Sequence, residues 1–219
     1  CLENGSGQGL FVEGLSKKFD NILIIDFSLS SLVLAKKICY EKNIKNIFLM
    51  CANVEQLPIK NNSIDFIHSN NVIEHVTNQI KMVREISRTL SNKGFLFLLS
   101  PNKKSAYFEP HFRLPFYGFI PFRLRQWLVF KICGMDCRDV SPLSYKELKL
   151  IFDNNFKGEG YITFLPSKLQ NFQKKTDVVR QLIIYSLNSK IFGSISSIIL
   201  NKFLIGLMPY HVIIAKKKQ

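Results

Sequence analysis

The stretch that decides the fold is Glu3-Asn4-Gly5-Ser6-Gly7-Gln8-Gly9, close to the start of the chain. Its three glycines are spaced by two, and an acid stands two positions before the first of them. Glycine has no Cβ, so the backbone of such a turn can adopt positive φ and pass close to a ligand. The following helix offers unpaired N–H groups. We therefore predict a ligand-binding strand-to-helix turn, with the Glu3 carboxylate facing a positively charged group such as an ammonium rather than a phosphate.

The residues that follow alternate between two hydrophobic patterns. Short apolar runs predict strands at 21–26, 47–50, 64–69 and 95–100, and helical periodicity predicts helices at 10–18, 30–40 and 72–90, the last ended by Lys93-Gly94. A capping box of Ser144 and Glu147 predicts a helix to about residue 154, and strands are expected near 160–164 and 211–215. Strands that alternate with helices predict an α/β fold with a doubly wound parallel sheet.

Two segments interrupt this alternation. Residues 102–139 are aromatic, basic and proline-bearing, and we interpret them as an insertion on the substrate side. Residues 166–208 include a strongly apolar, helix-like stretch at 177–208, for which a helical cap over the sheet edge or active site is favoured over insertion into a bilayer. We expect residues 1–219 to form one domain that is incomplete at its amino end, because the first strand should begin upstream of Glu3.

The charge and the cysteine content limit the kinds of partner and the cellular compartment that we expect. The net charge of +14 favours an anionic neighbour, which leaves nucleic acid, acidic lipid headgroups, a phosphorylated substrate or simply a solvated basic surface open. The five cysteines form an odd set without paired metal spacing, which argues against a disulfide framework or a zinc site. We expect a cytoplasmic protein, with peripheral contact at the inner membrane face left open.

Five stretches in register resemble the class I S-adenosylmethionine-dependent methyltransferases, in the small-molecule branch with a glycine loop and a Leu-Pro motif. The first is the glycine turn, and the others are Ile24-Ile25-Asp26-Phe27-Ser28, Asn53-Val54-Glu55-Gln56-Leu57-Pro58, the run from Asp65 to Val76, and the run from Arg84 to Gly94. The resemblance covers most of residues 1–104. It implies a Rossmann-like sheet of seven strands, mostly parallel with an antiparallel last strand, plus helical insertions.

The resemblance also implies S-adenosylmethionine as the cofactor and assigns residues to it. Glu3, Asn4, Gly5 and Gly7 belong to the turn that holds it, and the Asp26 carboxylate accepts both ribose hydroxyls. Phe27 lies against the adenine. Asn53 stands where the family has an Asp that receives the adenine amino group, and an amide oxygen can accept the same bond. Val54 gives a backbone N–H to the ring, and Asn70 lines the methionine moiety and the donor methyl.

Two other functions stay open. A nicotinamide-dependent oxidoreductase would also use a glycine turn and Asp26, but it favours G-x-G-x-x-G over the G-x-G-x-G of this chain and needs no Leu-Pro motif. A membrane-associated module that binds the cofactor without catalysis is the second alternative.

We expect methyl transfer to a small or lipid-like acceptor, at an oxygen. A neutral histidine suits the role of general base. His111, in the insertion that should face the acceptor, is favoured, and His75 is the second candidate. Some quinone-pathway relatives hold a metal with two acids and the matching histidine, but Asn71 replaces the first acid here, so no metal site is expected. Nucleic acid is disfavoured as an acceptor, and the oligomeric state is not predicted.

Overall fold

The computed structural model describes residues 1–104, 112, 114, 117–138, 140–157, 161–162 and 210–217. Within this part of the chain, strands and helices alternate through the first 101 residues except between Cys51 and Ile64, where a loop joins two strands. The strands are β1 (Leu2–Asn4), β2 (Ile22–Asp26), β3 (Ile47–Cys51), β4 (Ile64–Asn70) and β5 (Leu90–Pro101), and the helices are α1 (Val12–Ser16), α2 (Leu29–Glu41) and α3 (Gln79–Thr89).

The remaining described elements complete the sheet. They are α4 (Phe122–Cys133), α5 (Tyr145–Asp153), β6 (Phe156–Lys157), β7 (Tyr161–Ile162) and β8 (Tyr210–Lys217), and a short 3-10 helix, Tyr117–Phe119, precedes α4. The strand order is β3-β2-β1-β4-β5-β8-β6, and β7 also pairs with β8. Strands β1 to β5 pair in parallel, whereas β8 is antiparallel to β5. The predicted Rossmann-like class with an antiparallel last strand is therefore confirmed.

The strand count differs from the predicted seven at the edge of the sheet. The described sheet has eight strands, but β6 and β7 are only two residues long and both pair with β8. Phe156 is paired with Lys217 and Tyr161 with Ile213, so the register changes by a single residue between the two short strands. They follow one another along the same neighbour and occupy one position in the sheet.

Helices cover the sheet on both faces, as its pattern of side chains requires. On one face, Leu2, Ile67 and Leu96 pack with Met82 and Ile86 of α3 and with Leu148 of α5. On the other face, Ile22 and Ile24 pack with Val12 of α1 and with Leu32 and Cys39 of α2. Because successive residues of a strand point to opposite faces, a strand buried on both sides is apolar throughout.

Two sequence predictions need correction. The helix expected at 72–90 begins only at Gln79, because the Asn78 side chain accepts a hydrogen bond from the Lys81 N–H and caps it there. The expected turn at Lys93-Gly94 is absent, since β5 runs unbroken from Leu90. A Cβ on Gly94 would lie 3.0 Å from the Asp65 carbonyl oxygen, so this glycine permits close approach of two strands.

The insertion expected at 102–139 contains its own small core where it is described. Phe112, Leu114, Tyr117, Val129, Cys137 and Val140 are buried together around α4. The chain then returns to the main sheet through the predicted capping box of α5, in which Ser144 and Glu147 exchange hydrogen bonds. The helical cap expected at 166–208 lies outside the described residues. Within the described part of the chain, no helix has the length and apolar character needed to span a membrane.

Candidate functional site

The glycine turn joins the end of β1 to α1 in a conformation that needs glycine. Gly5, Gly7 and Gly9 have φ values of 75°, 51° and 79°. The Gly5 and Ser6 N–H groups both donate to the carbonyl oxygen of Ile25, at 2.8 and 3.0 Å. A Cβ on Gly5 would lie only 2.5 Å from Cγ2 of Val72. Backbone conformation and close packing therefore both exclude a side chain at Gly5.

Asp26, at the end of β2, ties the turn to the neighbouring strand. Its Oδ2 accepts a hydrogen bond from the Gly7 N–H at 2.7 Å, and its Oδ1 accepts one from the Ser28 N–H at 2.8 Å. Each carboxylate oxygen can accept more than one hydrogen bond, so both oxygens keep capacity for hydroxyl donors. The carboxylate can thus organise the turn and hold a ribose at the same time.

A cavity of about 520 Å³ opens beside this carboxylate, within the size range of small-molecule sites. Its wall comes from the glycine turn, the end of β2, the loop after β3 and the loop between β4 and α3. The lining residues are Gly5, Gly7, Asp26, Phe27, Ser28, Asn53, Val54, Glu55, Asn71, Val72, His75, Val76 and Thr77. The structure therefore brings six of the nine predicted cofactor residues to one cavity: Gly5, Gly7, Asp26, Phe27, Asn53 and Val54.

The residues predicted to contact the adenine also line the cavity. Phe27 is 78% exposed, so its ring is available to a flat ligand. The Asn53 Oδ1 accepts a hydrogen bond from the Glu55 N–H at 2.8 Å, which holds the amide in place while leaving the oxygen a second lone pair. Val54 is buried beside it.

Glu55 is a residue of this cavity that the sequence analysis did not single out. Its Oε1 accepts hydrogen bonds from the Thr77 N–H at 2.7 Å and the Asn78 N–H at 3.0 Å. The carboxylate thus joins the loop after β3 to the loop before α3. An acid two residues after Asn53 was visible in the sequence, but its partners lie more than twenty positions away and are supplied only by the fold.

Glu3 lies in β1 and is buried within the sheet. It pairs across β1 and β4 with His68, and its Oε2 lies 2.7 Å from the His68 Nδ1. The Glu3 side chain is only 2% exposed, and the His68 ring lies between Phe11 and Phe97, with ring centroids 4.9 and 5.4 Å away. Glu3 does not line the cavity. Its contact with a cofactor ammonium stays a prediction.

Asn4 and Asn70 also lie outside the cavity wall. Asn4 is fully buried, and within the described part of the chain neither polar atom of its amide has a hydrogen-bond partner. The Asn70 Oδ1 is likewise buried without a partner among the described residues. Its neighbour Asn71, with φ of 53° at the end of β4, lines the cavity in its place. The cofactor contacts assigned to Asn4 and Asn70 stay predictions.

Three of the four histidines of the chain lie among the described residues, and these three divide between core and cavity. His75 is exposed and lines the cavity. His68 and His211 are buried in β4 and β8. The His211 Nε2 donates to the Leu143 carbonyl oxygen at 3.3 Å, and burial lowers the pKa of His211 to about 4 although this hydrogen bond opposes the shift. His111 lies outside the described residues, so its predicted role as base stays a prediction.

Known proteins resemble the part of the chain that carries this cavity. Residues 2–98 match a family model described as a methyltransferase domain. An uncharacterized protein of Methanocaldococcus jannaschii is 40% identical over 111 residues, which cover 51% of this chain and 44% of that protein. A probable S-adenosylmethionine-dependent methyltransferase of Mycobacterium tuberculosis is 26% identical over 102 residues, which cover 47% of this chain and 35% of that protein.

Solved structures share this fold. Geranyl diphosphate C-methyltransferase from Streptomyces coelicolor A3(2) superimposes with a TM-score of 0.63 and 13% sequence identity, covering 99% of this chain and 70% of that chain. At this identity the likeness concerns the fold alone.

The doubly wound sheet, the glycine turn and the acid that closes β2 define a nucleotide-binding α/β domain. Together with the match of residues 2–98 to a methyltransferase-domain family, they identify this part of the chain as a class I S-adenosylmethionine-dependent methyltransferase domain. The predictions of this class and of S-adenosylmethionine as its cofactor are confirmed. The matched regions span less than half the length of these two curated relatives.

Proposed function

We propose that the protein transfers a methyl group from S-adenosylmethionine to an oxygen of a small or lipid-like acceptor. The observation that carries the proposal is the Asp26 carboxylate, which organises the glycine turn and faces the same cavity as Asn53 and Val54. A dinucleotide site would need room for a pyrophosphate at the turn, where an acid is instead held against the Gly7 N–H.

The cofactor supplies an electrophilic methyl group on a sulfonium with a good leaving group. The protein's part is therefore alignment and the exclusion of water. Asp26 accepts the ribose hydroxyls, the Asn53 oxygen accepts the adenine amino group, the Val54 N–H donates to the ring, and the Phe27 ring covers it. These contacts hold the donor while the acceptor enters from the other side.

A hydroxyl acceptor must lose a proton, and a histidine at the cavity can take it. His75 is the described histidine that lines the cavity, and it is exposed enough to exchange the proton with solvent. His111, in the insertion, is the second candidate. His68 and His211 are buried in the sheet, and neither lines the cavity.

Lipid-like acceptors are supported by the aromatic and basic character of the described insertion. The fold is compatible with such acceptors, because geranyl diphosphate C-methyltransferase has a closely similar fold and its structure was solved with geranyl diphosphate bound. That enzyme methylates carbon, so the choice of oxygen here rests on the histidine at the cavity and not on the fold.

The proposal is tested by transfer of labelled methyl groups into lipid, sugar and RNA pools. We expect label in a lipid or small-molecule fraction with the native protein and none with Asp26→Ala. Asp65→Ala is the matched control, because Asp65 is an exposed acid at the start of β4 that does not line the cavity. Label in RNA alone would contradict the proposed acceptor, and equal transfer by both variants would contradict the role of Asp26.

The base is tested separately with His75→Gln. Loss of a general base lowers kcat most on the plateau of the pH profile, where the base is unprotonated, and removes the acid limb that its protonation causes. It leaves the dissociation constant of S-adenosylhomocysteine unchanged. We expect a fall in kcat of about 100-fold or more if His75 takes the proton. An unchanged pH profile would exclude His75 and leave His111→Gln as the next variant.

A further inference from the structure

Helix α4 stands apart from the main sheet on its own small core. Its inner side buries Val129 completely, and this residue packs with Tyr117 and Phe112. The Arg125 guanidinium also turns inward and lies 4.5 Å from the centre of the Tyr117 ring. These contacts fix which side of α4 faces the protein and which side faces outward.

The outer side of α4 is apolar and uncovered in the described structure. Leu124 is 50% exposed, Trp127 56% and Phe130 64%. Arg123 and Lys131 stand one helical turn on either side of Trp127, and both are exposed. Spacings of three and four residues place all five side chains on one side of the helix. We call this set, Arg123, Leu124, Trp127, Phe130 and Lys131, the outer face of α4.

Other large apolar side chains on or beside α4 are also exposed, outside its outer face. Phe119, Phe122, Ile132 and Met135 are between 44% and 63% exposed. Large exposed apolar residues scattered singly are ordinary, but a group of this kind around one short helix marks an interaction site.

The charges of the helix decide what kind of partner fits. The α4 sequence FRLRQWLVFKIC contains three cations and no acid, and the whole chain carries a net charge of +14. A face that packs against another protein core would bury Arg123 and Lys131 at a cost unless they were paired. At a lipid surface, their stems lie along the apolar region while the charged ends reach anionic headgroups, and Trp and Phe occupy the boundary between them.

We propose that the outer face of α4 docks the protein on an anionic lipid bilayer, with the helix lying in the plane of the membrane surface. Its 12 residues are too few to cross a bilayer. The cytoplasmic leaflet, which carries the negative surface potential, is the matching membrane. Docking needs no cofactor and is therefore independent of the proposed methyl transfer.

The insertion that contains α4 leaves the sheet at the same edge as the cavity. Strand β5 runs parallel to β1, β2 and β4, and the insertion leaves the sheet at the end of β5, Pro101. The cavity is formed at the same carboxyl-end edge, by the residues that follow β1, β2, β3 and β4. A protein held through α4 therefore presents the acceptor side of this edge near the lipid.

The chain offers its own reporter for this docking. Trp127 is the only tryptophan in the protein, so its fluorescence reports on the outer face of α4 alone. We expect a blue shift of the emission when the full chain meets vesicles of phosphatidylcholine and phosphatidylglycerol, and quenching by lipids brominated on the acyl chains. Vesicles of phosphatidylcholine alone should give a much weaker shift, and added salt should reverse part of the binding.

Two pairs of double variants test whether binding depends on the outer face of α4 or only on the charge and apolar surface of the protein as a whole. Each basic residue near an anionic surface contributes about fivefold to partitioning, so Arg123→Gln with Lys131→Gln should weaken binding roughly 25-fold. The control is Lys18→Gln with Lys36→Gln, which removes the same charge from exposed positions just after α1 and on α2. This control should change membrane binding little. Leu124→Ser with Phe130→Ser should also weaken membrane binding. Its control is Val33→Ser with Tyr40→Ser, which removes exposed apolar side chains from α2 and should weaken binding less.

Several outcomes would overturn the proposal. One is the absence of a Trp127 shift with anionic vesicles. Another is equal weakening by the charge variant on α4 and its control, which would show that only net charge acts. A third is Trp127 emission that is already blue-shifted and protected from acrylamide without lipid, which would show that another part of the chain or a second copy covers the face. Circular dichroism of each variant verifies that it is folded.

Discussion

At the scale of single residues, the Asp26 carboxylate is the central group of the site. Asp26 receives the Gly7 and Ser28 N–H groups and still has lone pairs for a ligand. Glu3, which has the same chemistry and stands in the same motif, is buried against His68 instead. The difference is one of position, because β2 ends at Asp26 while Glu3 lies inside β1, where strand pairing determines which face its side chain occupies.

His211 is a buried residue whose titration should be measurable. Burial lowers its pKa to about 4, whereas in the unfolded chain it is near 6.5. Between these values the unfolded chain binds a proton that the folded protein does not, so the free energy of unfolding falls as the pH drops through this window. We expect a loss of about 2 kcal/mol between about pH 7 and pH 5 from this residue.

The measurement is urea unfolding at both pH values, for the native protein and for His211→Gln. A glutamine amide can donate to the Leu143 carbonyl oxygen as the Nε2 of His211 does, but it does not titrate. The variant should therefore lack this part of the pH dependence. Equal pH dependence in both proteins would show that His211 is not responsible.

At the scale of elements, the glycine turn is held by two different constraints. Positive φ at Gly5, Gly7 and Gly9 could be anticipated from their spacing. The contact between Gly5 and Val72 could not, because Val72 follows β4 and reaches the turn only when β1 and β4 pair. The shorter α3 has a similar cause, since residues 72 and 75–77 line the cavity from a loop instead of forming the first turns of a helix.

This turn gives a direct mutational prediction. Gly5→Ala combines an unfavourable φ with a clash against Val72, so we expect the free energy of unfolding to fall by about 2–4 kcal/mol, with loss of cofactor binding. Gly14→Ala is the control, because this glycine lies in α1 with no atom within 4 Å of the added Cβ. Alanine should raise the free energy of unfolding there by about 0.5–1 kcal/mol.

Chemical denaturation and titration with S-adenosylhomocysteine measure both effects. Equal stability of Gly5→Ala and Gly14→Ala would contradict the packing of Val72 on the turn.

At the scale of the whole molecule, the cavity is a product of topology. The glycine turn, Asp26, Asn53 and Asn71 are far apart in sequence, and they meet because parallel strands end at one edge of the sheet. The strand order places β1 between β2 and β4, so the turn lies at the centre of that edge.

A ligand that binds this edge should stabilise the entire fold. S-adenosylhomocysteine at about 100 times its dissociation constant should raise the free energy of unfolding by roughly 2.7 kcal/mol, and Tm by about 5–10 °C. NAD should leave Tm unchanged, and Asp26→Ala should remove the effect of S-adenosylhomocysteine. Thermal denaturation followed by circular dichroism measures these shifts. Stabilisation by NAD would favour an oxidoreductase, and stabilisation by S-adenosylhomocysteine without transfer to any acceptor would favour a non-catalytic module.

The sequence by itself determined the class of fold and the ligand-binding turn, because these follow from local periodicity and from a motif whose spacing is short. Its resemblance to the methyltransferase family pointed to Asp26, Phe27, Asn53 and Val54, which the structure brings to one cavity. Only the tertiary structure decided that Glu3 pairs with His68, that Glu55 joins two loops, and that His75 lines the cavity. It also decided that α4 turns Trp127 outward. The physical reason is that orientation and partnership depend on strand pairing and packing between distant segments, which no local pattern of residues contains.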